Sequence, residues 1–117
     1  MKKISLVFSL IAVSIVLSYC SSSKKAAKKE IPKTTYAVNM ETVISANCAP
    51  CHIPAKGGNK KPYDNYANVK TDIDEMIRRI ELEPTVKGFM PFKKSEKLPA
   101  EVIEVFKQWK IDGMLEN

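Results

Sequence analysis

Histidine occurs once in these 117 residues, at position 52, and cysteine three times, at positions 20, 48 and 51. A structural zinc site draws on four Cys or His ligands, and beyond residue 20 only three such residues remain. No stretch alternates apolar and polar residues as a half-buried strand would, so an all-α fold is expected. An apolar run long enough for a bilayer span of roughly 20 residues is also missing. The longest, Ile4 to Leu17, is broken by Ser5, Ser9 and Ser14. Nor does the main body carry the basic excess that a nucleic-acid-binding domain needs. The net charge is +6, but residues 1–33 hold seven lysines and one acid, whereas the remainder holds twelve basic and twelve acidic residues. Nucleic acid is therefore not an expected partner, and the length suits one domain rather than two.

What is present at the N-terminus has the design of a secretory leader. Lys2 and Lys3 precede the apolar run, which suits the hydrophobic region of a signal peptide over residues 1–19. An uncleaved anchor is the alternative. The leader closes on Leu17-Ser18-Tyr19-Cys20, which resembles the lipobox of bacterial lipoproteins. That resemblance implies a diacylglyceryl group on the sulfur of Cys20 and a mature chain starting there. Tyr19 departs from the pattern, which places a small residue before the cysteine. Ser21 to Glu30 reads SSSKKAAKKE, too polar to offset its ordering entropy by burial. Residues 20–36 are thus expected to be a lipid-anchored flexible tether, and 37–117 the domain. Such a tether extends to at most about 50 Å and spans about 20–25 Å on average.

Inside the domain, Cys48-Ala49-Pro50-Cys51-His52 reads C-x-x-C-H, the attachment signature of c-type haem. Two cysteines three apart share one side of a helical turn, so each sulfur can add to one of the two porphyrin vinyl groups. The next residue then brings its imidazole to the iron. One covalent haem is the expected cofactor, held by Cys48, Cys51 and His52. A redox C-x-x-C would sit near a βαβ pattern, but the flanks here read as helical. A plain disulfide would leave the lone histidine without a role.

A six-coordinate electron carrier needs a second axial ligand, commonly methionine. Met40 lies too near the motif in sequence to cross the ring. Met76 belongs to the helical stripe Ile73, Met76, Ile77, Ile80, which reads as core. Met114 follows a helix-ending glycine. Met90 lies in Lys87-Gly88-Phe89-Met90-Pro91-Phe92, 38 residues beyond His52, with Gly88 free to take unusual angles and Pro91 stiffening the exit. Met90 is the expected ligand.

From about Met40 to Gly113 the chain resembles a small single-haem class I bacterial cytochrome c. The resemblance rests on C-x-x-C-H, on Tyr63-x-x-Tyr66-x-x-Val69-Lys70, on the Met90-Pro91 loop, and on a last helix with Trp109 ending at Gly113. Phe92 stands where many relatives carry a second proline. The resemblance implies three to four helices wrapped around one haem, and electron transfer through a partly exposed haem edge. Tyr63, Tyr66 and Trp109 are candidates to bond haem propionates, or else ordinary packing aromatics with one wet end.

Helices are expected from about Met40 to Cys51, over Asp64 to Val69, from Thr71 to before Pro84, and from Pro99 to Gly113. Thr71 with Asp74 suggests a capping box, and Pro99 suits a first helical position. Val102, Ile103, Phe106 and Trp109 form the apolar face of the last helix. So small a domain has little core without a cofactor. The expected role is therefore an electron carrier rather than an enzyme, working as a monomer on the periplasmic side of a bacterial membrane. A haem subunit of a redox enzyme such as a peroxidase, or a haem-based sensor, would need an open iron site, and no second histidine exists to serve it. Lys56, Lys60 and Lys61, with Lys87, Lys93, Lys94 and Lys97, would form a positive face for an acidic redox partner if both groups lie around an exposed haem edge, and are otherwise solvated surface. The acids Asp72, Asp74, Glu75, Glu81 and Glu83 cluster between them.

Overall fold

The computed structural model describes residues 31–117, which form one compact unit. The leader and the greater part of the tether, Cys20 included, lie outside the described residues. The fold is all-α. A π-helical turn, Tyr36–Met40, runs directly into α1 (Glu41–Asn47). A 3-10 turn follows at Pro54–Lys56, then α2 (Tyr66–Glu81) and α3 (Ala100–Ile111). One isolated parallel bridge, Thr35 with Leu115, is the only β pairing among the described residues.

Local chemistry explains each boundary. Thr35 caps the first turn by accepting from the Val38 amide, while its own N–H donates to Asn39 Oδ1 at 3.0 Å. Helix α1 stops at Asn47, four residues short of the expected Cys51. Pro50 has no N–H to donate, and it disfavours the helical conformation at Ala49. The motif therefore sits on the turn that leaves α1. Where two helices were expected between Asp64 and Pro84, there is one. Asn65 starts it by accepting from the Asn68 amide at 2.9 Å, so Thr71 is an interior residue whose hydroxyl donates to the Ala67 carbonyl. Pro99 stands at the N-cap, one residue before the first helical position expected of it, and the last helix ends at Ile111 rather than at Gly113.

The core collects Val69, Ile73, Met76 and Ile80 from α2, Phe106 and Trp109 from α3, and Tyr36, Met40 and Ile44 from the first helical stretch. Met40 and Met76 are thus packing residues. Trp109 is fully buried and donates through Nε1 to the Leu115 carbonyl at 2.8 Å. Tyr36 and Tyr66 lean on its indole, with ring centroids 6.2 and 6.1 Å away. Tyr66 donates from its hydroxyl to the Met114 carbonyl. The fold takes in part of the expected tether: Thr34 N–H donates to Asp112, and Tyr36 N–H to the Leu115 carbonyl.

Phe106 has no exposed surface and no polar atom to rescue. Phe106→Ala should lower unfolding free energy by about 3–5 kcal/mol, read as a fall in the denaturation midpoint. A loss below about 1 kcal/mol would mean that α3 does not pack against α2 as described.

Candidate functional site

Cys48, Cys51 and His52 occupy the turn after α1. The His52 amide donates to the Cys48 carbonyl at 3.0 Å and Ile53 donates to Pro50 at 3.0 Å, which winds the five residues into one compact bend. Cys48 is half-buried against the core and Cys51 is exposed, and the two thiols are not joined. Burial pushes the Cys48 thiol up to about 11. That is opposite to the lowered value of a reactive dithiol or a thiolate ligand. Among the described residues no three Cys, His, Asp or Glu side chains converge to hold a single ion.

The imidazole of His52 is held on two sides. Its Nδ1 lies 2.7 Å from the Lys61 carbonyl. A carbonyl only accepts, so Nδ1 carries the proton in the neutral ring, and Nε2 keeps the lone pair a metal would need. The Tyr63 ring stacks on the imidazole, with centroids 4.6 Å apart and 13° between planes. Burial, and after it a hydrogen bond to Asp72, pushes the Tyr63 phenol up to about 12.

Met90 sits on a separate loop that Arg79 fastens from two directions. The Arg79 carbonyl accepts from the Met90 amide at 3.2 Å, and its Nε donates to the Gly88 carbonyl at 2.7 Å. Gly88 has φ +100, a conformation that side chains disfavour, as the sequence suggested. Met90 and Cys48 both border the same core, together with Ala49, Leu98, Val102 and Ile103. A cleft of about 350 Å³ is lined by Ala46, Asn47 and Ala49 together with Pro91 and the mostly polar stretch from Lys94 to Leu98, and none of Cys48, Cys51, His52 or Met90 lines it. Phe92 is 67% exposed, with the Lys93 ammonium 5.5 Å from its ring centroid.

Three expectations change at this level. Tyr63, Tyr66 and Trp109 all give their polar hydrogens to protein atoms, which favours packing over propionate contacts. The lysine groups are partly neutralised, because Lys61 pairs with Asp72 and Lys97 with Glu83. Lys60, Lys87, Lys93 and Lys94 have no acidic partner among the described residues, nor does Lys56, whose ammonium donates to Ser45. A third point concerns Gly58, which the sequence reading passed over. A Cβ there would lie 2.6 Å from the Cys51 carbonyl oxygen and closer still to that of Pro50. The loop thus presses directly on the motif backbone, and Lys60 N–H bonds the Cys51 carbonyl at 3.0 Å. Only the Gly57-Gly58 pair hinted at this.

The chain matches no family model, no curated protein and no solved structure.

Gly58→Ala should force the motif turn and its loop apart and cost about 1–3 kcal/mol, the usual range for overpacking. Denaturant titration measures it. An unchanged midpoint would show that the loop does not press on the turn.

Proposed function

We propose that this chain is a small c-type cytochrome with the class I fold, carrying one covalent haem and passing electrons on the periplasmic side of a bacterial membrane. The observation that carries the reading is the Nδ1 bond from His52 to the Lys61 carbonyl, which leaves Nε2 as the ligand atom beside two unjoined thiols. Bound haem would supply a one-electron centre. This chain would hold it through the sulfurs of Cys48 and Cys51 and through His52 Nε2, with Met90 as the second protein ligand. Cys48, Ala49, Met90, Leu98, Val102 and Ile103 are each partly buried against the core, and an apolar cofactor would cover what they leave exposed.

Denatured, acid-extracted protein should keep its haem on a gel stained for peroxidase activity, and His52→Ala should yield little mature holoprotein. Release of free haem from the wild type would end this reading. The reduced wild type should ignore carbon monoxide, and Met90→Ala should bind it. A wild type that binds the gas readily would favour a peroxidase subunit or a sensor.

The same proposal places the domain on a lipid anchor at Cys20. No helix among the described residues is long and apolar enough to cross a membrane. Mass spectrometry of the mature N-terminus should find a diacylglyceryl-modified Cys20. An unmodified terminus beyond Cys20 would refute the anchor and leave the cytochrome reading intact. A redox partner with an acidic surface would meet Lys56, Lys60, Lys87, Lys93 and Lys94, the members of the two lysine groups without acidic partners among the described residues.

A further inference from the structure

The two groups that confine the His52 ring come from one loop, and both reach the same carboxylate. Lys61, whose backbone carbonyl accepts from Nδ1, turns its ammonium to both oxygens of Asp72, at 2.8 Å to Oδ1 and 2.7 Å to Oδ2. Tyr63, whose ring stacks on the imidazole, donates its hydroxyl to Oδ2 of Asp72 at 2.9 Å. The hydrogen bond from Lys61 holds the Asp72 carboxyl below its usual range, so it is ionised at neutral pH. Asp72 stands on α2 beside the buried Ile73 and close to Val69 and Met76, so its backbone is fixed to the core.

Other bonds secure this loop. Tyr63 N–H donates to the His52 carbonyl at 2.9 Å, and Asn68 Nδ2 to the Pro62 carbonyl at 2.9 Å. These hold the backbone. Among the described residues only Asp72 joins the side chains of these two residues, one confining the imidazole by its ring and the other by its carbonyl, and ties both to a helix.

We propose that Asp72 is a positioning residue for His52, holding Lys61 and Tyr63 so that the Nδ1–H···O bond and the ring plane are fixed, and with them the donor strength of Nε2. The inference rests on the reading of His52 as an axial ligand. A histidine whose far nitrogen donates a firm hydrogen bond is the more basic ligand. Greater basicity favours ferric over ferrous iron and lowers the midpoint potential. Loosening the clamp must therefore raise it.

Charge alone predicts a different pattern, and three variants of the haem-loaded full chain separate the two. Asp72→Asn removes a negative charge, Lys61→Met removes a positive one, and Tyr63→Phe removes none. Simple electrostatics raises the potential in the first, lowers it in the second and leaves the third unmoved. Positioning raises it in all three. It also speeds exchange of the His52 Nδ1 proton, followed by NMR in the reduced, diamagnetic protein. If Asp72→Asn fails to fold, Tyr63→Phe and Lys61→Met still carry the test. Potentials ordered by charge, with ring-proton exchange unchanged, overturn the inference and leave the cytochrome reading standing. A purified wild type without covalent haem defeats that reading first, and the inference with it.

Discussion

The buried indole of Trp109 is where the three helical stretches and the chain's last residues meet. Its edges are met by Tyr36 before α1 and Tyr66 at the start of α2, and its N–H is taken by Leu115. With no strand among the described residues to impose a register, the helices depend on such a shared contact to fix their relative placement. The shared core also contains Met40, Ile44, Val69, Ile73 and Phe106. The motif turn hangs from the end of α1 and the Met90 loop from the end of α2. Both halves of the candidate site therefore inherit their positions from this aromatic contact.

Around the site, polar chemistry takes over from packing. Arg79 holds the Met90 loop with one backbone and one side-chain bond, whereas His52 is held by a carbonyl and an aromatic face. No buried side-chain nitrogen or oxygen lacks a partner among the described residues, so none of this organisation leaves an unmet desolvation cost. The aromatics that were candidates for a cofactor's acidic groups have already given their hydrogens to the protein. Half-buried apolar atoms and one imidazole nitrogen remain available.

Much of this was legible in the chain. The apolar stripe of α2 with the core role of Met76, the start of α3 within one residue of the expected Pro99, and the positive φ at Gly88 follow from periodicity and from the limits of proline and glycine. The single long α2 was not legible, because Asn65 and Thr71 are both acceptable caps and only tertiary packing chooses between them. Gly58 was missed because close approach of two backbones leaves no periodic trace. Asp72 looked like one acid in an acidic stretch, because its partners lie 9 and 11 residues earlier on a loop of no regular form.

The pairing of the two ends of the domain has a consequence for timing. Thr34 bonds Asp112, 78 residues later, and Tyr36 and Ala37 bond the carbonyls of Leu115 and Glu116. During synthesis Thr34 to Ala37 emerge long before Asp112 to Glu116 exist, so these bonds cannot form until residue 116 has been added. Closing a loop of that length also costs more entropy than making a local contact. Until then Cys48 and Cys51 lie on a stretch of chain whose two ends are not yet paired.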